Sequence, residues 1–148
     1  MDPMQELLEI HQITQLRIKY SHYFDAKEVD KLGELFAEDA VCEFGEAYGG
    51  DWVGREQIKA GYARYAVNPE VPFTFMHAST NPLITLVDDT TAKGRWYLLD
   101  LTTAVDAPNP LMLLGIYDDL YKKTGGQWYI SRTRIDFVYP RRDYKGPR

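Results

Sequence analysis

After Pro72 the apolar residues of this chain alternate and continue to do so. Before Pro72 they recur mostly three or four apart, with one strand-like interruption. Across Met4–Phe24, the positions Leu7, Leu8, Ile10, Ile13, Leu16, Ile18, Tyr20 and Phe24 follow the helical spacing with no internal Gly or Pro, which predicts a long first helix. Asp30 is placed to cap a short second helix running through Phe36, with Leu32, Leu35 and Phe36 as its apolar stripe. The segment EDAVCEF then reads as a strand, GEAYGG as a turn, and GREQIKAGYARYA as a third helix that stops before Pro69 and Pro72.

Beyond Pro72, the segments FTFMHAST, LITLV, AKGRWYLLDLTTAV, LMLLGIYDDLYKK and WYISRTRIDFVY carry the period of two. Breaks fall at DDTT, at Pro108 and Pro110, and at TGGQ, which closes a hairpin. Helices first and a meander of strands afterwards define an α+β fold with a mostly antiparallel sheet, not a doubly wound one. The 148 residues suit one domain, 1–148, with its core over about 7–137 and a basic tail over 138–148. That tail, with Arg141, Arg142, Lys145 and Arg148, reads as a solvated terminus.

A net charge of −5 argues against a nucleic-acid partner, because neutralising phosphates needs a basic face that the body of the chain lacks. The single cysteine, Cys42, rules out an intrachain disulfide and a Cys-based zinc cluster. No apolar stretch is long enough to span a membrane and the first residues do not form a leader, so a cytoplasmic location is expected. Phosphate-binding and dinucleotide loops, a nucleophile elbow and a His-Glu-x-x-His zinc motif are all missing, so neither a cofactor nor a metal is expected. Eleven Tyr and three Trp supply apolar surface with polar tips, the mixture that suits a pocket for a small hydrophobic molecule.

Three histidines are available. His11 and His22 fall on the polar side of the first helix and read as surface residues. His77 lies in a strand among Phe73, Phe75 and Met76, where a ring nitrogen needs a partner; a satisfied core histidine and a base are both open readings. Asp25 ends the first helix, where the dipole disfavours a carboxylate, so either it is a plain loop residue or something else holds it there. Tyr20 and Asp25 are roughly 140° apart around a helix, so both border one cavity only if the helix ends near Asp25.

The segments KYSHYFDAKEVDKLGELFAEDA, GREQI, HASTNPLITLVDDTTAKGRWYL and GIYDDLYKKTGGQWYI, in this order and spacing, resemble the SnoaL-like branch of the nuclear-transport-factor-2-like superfamily from about Leu7 to Phe137. The resemblance implies a cone, with three helices packed on a strongly bent sheet and a ligand cavity between. Scytalone dehydratase, lindane dehydrochlorinase and bile-acid 7α-dehydratase belong to that family, and GRWYL and GQWYI are similar to the last. By this resemblance Asp25 holds His77, which removes a proton, and Tyr20 assists the leaving group. Phe44 and Phe137 stand where the bile-acid enzyme has a pocket Tyr and an Arg, which points away from a steroid substrate.

The same resemblance implies a cofactor-independent lyase, dehydratase-like or releasing formaldehyde by a retro-aldol step, acting on a small hydroxylated cyclic or aromatic molecule. An isomerase of the same proton-transfer type and a non-catalytic binding or assembly domain are the alternatives, and a homodimer or homotrimer is expected by analogy. For substrate contacts the strand and turn positions Phe44, Tyr48, Trp52, Trp96, Tyr97, Tyr117 and Arg134 are candidates, although alternation sends only one face of each strand inward. Arg132 and Arg134 share a face with Trp128 by simple alternation, and either can pair with Asp119 or Asp136.

Overall fold

In the computed structural model, which describes residues 1–148, the elements are α1 (Pro3–Asp25), α2 (Val29–Gly33), β1 (Phe36–Glu43), β2 (Trp52–Val53), α3 (Arg55–Tyr65), β3 (Phe75–Leu86), β4 (Thr91–Thr102), β5 (Leu111–Thr124) and β6 (Gln127–Tyr139). The six strands form one sheet in the order β2-β1-β6-β5-β4-β3, and only the β1–β6 pair is parallel. Three helices pack on this mostly antiparallel sheet, the α+β architecture expected from the change of period at Pro72.

Helix α1 starts as its residues dictate: Asp2 accepts a hydrogen bond from the Gln5 amide at 2.9 Å and Pro3 occupies the first turn. Its buried face differs from the one the apolar spacing marks. Glu9 and Arg17 point into the protein beside Ile13, Leu16, Tyr20 and Phe24, while Leu7, Leu8 and Ile18 stay exposed. The charges are tolerated because each finds partners: Glu9 accepts from Lys123 at 2.7 Å and from the Trp128 indole at 2.5 Å, and Arg17 is held by Asp119. Lys27, in the left-handed region at φ 61°, turns the chain away after Asp25.

Other departures are local. Helix α2 begins at Val29 and Asp30 lies inside its first turn, so it does not cap; Phe36 already belongs to β1. GEAYGG holds a short 3₁₀ turn over Glu46–Tyr48, and the two-residue strand β2 pairs with β1 beyond it. FTFMHAST and LITLV form parts of one strand, β3, joined across a bulge between Thr80 and Leu83 that contains Asn81 at φ 54° and Pro82. Proline is accommodated there because β3 is an edge strand. A second bulge matters more: Tyr121 pairs with Ile130 but Leu120 pairs with Arg132, leaving Ser131 as an extra residue on β6.

The tail is not a free terminus. The Lys145 amide donates to Asp136 at 3.1 Å, and Arg148 donates to Asp118 at 3.1 Å and to Glu43 at 2.6 Å. These contacts fold residues 140–148 back along the outer face of the sheet and bury Asp118 and Asp136.

Candidate active site

A cavity of about 340 Å³ opens between the helices and the inner face of the sheet, and 13 of its 17 lining residues are hydrophobic. The interest lies in the few polar groups that reach it. Asp25 is the last residue of α1 and is buried, and its two carboxylate oxygens hold one residue of β3 twice. Oδ2 accepts the backbone N–H of His77 at 2.9 Å, and Oδ1 lies 2.6 Å from His77 Nδ1. With the carboxylate as acceptor, Nδ1 carries the proton and Nε2 is left as the basic nitrogen. Phe24 stacks on the imidazole at 4.8 Å and Phe75 meets it edge-on at 5.0 Å, so the ring has little freedom.

Nε2 faces a group that alternation alone did not single out. Asp100 pairs with His77 across β3 and β4, lines the same cavity and brings Oδ1 to 3.6 Å from Nε2. Burial raises the Asp100 carboxyl above its ordinary value, with the nearby Asp25 pushing the same way and His77 opposing. The available signal was a lone acid on the inward face of AKGRWYLLDLTT, shared with Leu98 and Thr102.

Tyr20 also reaches the cavity. Its hydroxyl lies 3.2 Å from that of Tyr117, on β5, and both rings are buried. Burial pushes both phenols well above the usual tyrosine range, so each stays a donor. Helix α1 ends at Asp25, but only Tyr20 lines the cavity; Asp25 reaches it through His77. Tyr62, from α3, adds a third buried hydroxyl, without a hydrogen-bond partner. Phe44, Tyr48 and Trp52 complete an aromatic wall: Trp52 lies edge-on to Phe44 at 5.0 Å and donates to the Tyr48 carbonyl at 3.2 Å. The wall closes on α3 at Gly61, where a Cβ would come within 2.5 Å of the Trp52 ring.

Three substrate-contact candidates lie elsewhere. Trp96 shares the inward face but sits farther along β4, where its indole donates to Tyr121 at 3.0 Å in the sealed core. Tyr97 is on the opposite face and 54% exposed. Arg134 also points outward, pairing with Asp136 at 3.0 Å and lying 3.5 Å from Asp118. The extra residue Ser131 explains it: the bulge reverses the alternation of β6, so Arg132 and Arg134 do not share the face of Trp128. Asp119, inward beside Tyr117, takes Arg17 as partner and neither of those arginines. His11 and His22 are exposed on α1, and no three His, Cys, Asp or Glu side chains come together where they could hold a metal ion. No helix is long and apolar enough to cross a membrane.

Comparison with known proteins bears on this arrangement. Residues 5–134 match the SnoaL-like domain. Among solved structures, a scytalone dehydratase candidate from Novosphingobium aromaticivorans superposes with a TM-score of 0.75 at 24% identity, over 90% of this chain and 86% of that one. An aromatic ring hydroxylase candidate from the same organism gives 0.76 at 25% identity, over 95% and 94%. An NTF2-like protein with a cystatin-like fold, again from that organism, gives 0.78 at 17% identity, over 93% and 87%.

Proposed function

The chain belongs to the SnoaL-like family, and on that premise we propose that it is a cofactor-independent lyase acting on a small hydroxylated cyclic or aromatic molecule. One observation carries the reading: His77, in the wall of a largely apolar cavity, is held 2.6 Å from the buried carboxylate of Asp25. In the proposed reaction His77 Nε2 takes a proton from the carbon next to a hydroxylated carbon. Asp25 stabilises the imidazolium that forms, in a site where few waters compete. Tyr20 gives its hydroxyl proton to the departing oxygen; water leaves, a carbon–carbon double bond remains, and the proton on His77 returns to Tyr20 through solvent. If His77 instead takes the proton of a hydroxymethyl group, the adjacent carbon–carbon bond breaks and formaldehyde leaves; the electron pair of that bond passes to the ring carbon, conjugated with a carbonyl or phenol, which then takes the proton from the imidazolium. The aromatic lining favours a flat ring, and a cavity of about 340 Å³ suits a small molecule.

Asp100 supports a second reading. A carboxyl 3.6 Å from Nε2 can return the abstracted proton to another carbon, which would make the protein an isomerase with the same base. The binding or assembly reading is less well supported, because it gives no reason for a buried Asp–His pair facing a cavity. A second copy of this chain, in a homodimer or homotrimer, has a place to dock on the outer face of the sheet, where Met76, Leu83 and Tyr97 are exposed; light scattering in solution tests it.

The deciding experiment screens hydroxylated aromatic and alicyclic alcohols for released water or formaldehyde, and for double-bond migration. His77→Ala is expected to lower any such turnover by about 10²- to 10⁴-fold. Turnover that is unchanged in that variant sinks the mechanism.

A further inference from the structure

Behind the cavity wall lies a buried charge to which the proposed proton transfer assigns no part. Arg17 is fully buried on α1. Its Nε and Nη2 donate to the two oxygens of Asp119 at 2.9 and 2.8 Å, and Nη2 also donates to Thr133 Oγ1 at 2.5 Å. Nη1 is buried with no partner. Its guanidinium carbon stands 3.7 Å from the centre of the Tyr117 ring and 4.5 Å from that of Tyr20. These are the two tyrosines whose hydroxyls meet and whose rings line the cavity.

A cation over the face of a phenol draws electron density from the ring, and the hydroxyl becomes a stronger donor. Asp119 offsets part of this charge, but neither cavity tyrosine donates to it: its oxygens take Arg17 and the Tyr121 hydroxyl at 2.7 Å. Desolvation keeps Tyr20 and Tyr117 protonated, and Arg17 acts against that shift in both. The result is a pair of donors that are neutral at rest and respond strongly to negative charge placed before them.

We propose that Arg17 is a positioning residue which, through Tyr20 and Tyr117, makes this wall of the cavity a seat for a phenolic or enolic oxygen of the substrate. The ligand oxygen accepts a hydrogen bond from one tyrosine hydroxyl, to which the other donates across their 3.2 Å contact, and no covalent bond is made or broken in this step. The inference rests on the lyase reading for its biological meaning, but its test needs no turnover.

The probes are 2-naphthol, naphthalene, which keeps the rings and lacks the oxygen, and 4-nitrophenol, whose ionised form absorbs visible light. Wild-type protein is expected to bind 2-naphthol about tenfold tighter than naphthalene. In Arg17→Met combined with Asp119→Asn, which removes both charges together, that preference falls to within about twofold. The apparent pKa of bound 4-nitrophenol rises by about one unit relative to wild type, a change that loss of packing alone does not produce. Tyr117→Phe, which deletes one hydroxyl from an otherwise unchanged ring, is expected to show the same loss and carries the test if the double variant does not fold. Equal binding of naphthol and naphthalene by wild type overturns the proposal, as does a probe pKa and preference unchanged in both variants. The His77→Ala background separates the two ideas: turnover is lost there if the lyase mechanism holds, yet adding Tyr117→Phe still lowers the naphthol preference.

Discussion

Asp25 and Asp119 do the same structural job with opposite chemical results. Each joins α1 to the sheet through a charged or chargeable partner, Asp25 on the helix gripping His77 on β3 and Asp119 on β5 gripping Arg17 on the helix. The Arg17–Asp119 side chains are both 0% exposed and every contact is internal. The His77–Asp25 pair keeps a ring edge toward the cavity and toward Asp100. A sealed ion pair can contribute only to stability, specificity or the field around it, whereas one that borders a cavity can exchange protons with a guest.

The sharpest test of that contrast is Asp25→Asn, which keeps the size of the side chain but not its charge. Activity against any substrate found by screening is expected to fall about 10²- to 10⁴-fold, while urea unfolding moves by no more than about 1 kcal/mol. Asp119→Ala should behave in the opposite way. It leaves the Arg17 guanidinium buried without a counter-charge, and chemical denaturation should show a loss of about 3–5 kcal/mol.

A third carboxylate extends the comparison to pH. Glu9 is held below the ordinary glutamate value of 4.5, chiefly by hydrogen bonds from Lys123 and then Trp128. The unfolded chain therefore takes up more protons than the folded one as acid is added. Stability present above about pH 4.5 is lost as pH falls through the folded value. Glu9→Gln should flatten that acid limb in melts recorded from pH 6 to 3, and an unchanged slope would show that Glu9 makes no such contribution. The smallest effect is expected from Arg132→Ala, because the Arg132 side chain is 45% exposed where it meets Glu43. A change below about 1 kcal/mol in unfolding free energy is predicted there.

The sequence made the order of elements readable because period and turn chemistry are local. The face of α1 was not readable, because counting apolar residues cannot reveal that Arg17 has its counter-ion 102 positions away. Parity on β6 failed for a different reason: one extra residue at Ser131 reverses which side chains turn inward, and nothing in WYISRTRIDFVY marks that residue as the bulge. Of the candidate site residues, Asp25, His77 and Tyr20 could be picked out through family resemblance. The meeting of Asp25 with His77 across α1 and β3 depends on where the helix stops. Asp100 was missed because a single acid in an apolar strand gives no sign of which histidine lies across from it.

Half of the Asp25 grip is independent of the residue it grips. Oδ2 binds the main-chain amide of position 77, which any residue except proline supplies. The helix can therefore stay anchored to β3 while the side chain at that position is exchanged. In such a scaffold new chemistry can be tried at position 77 without dismantling the attachment that holds the cavity open, which gives selection a place to experiment at low structural risk.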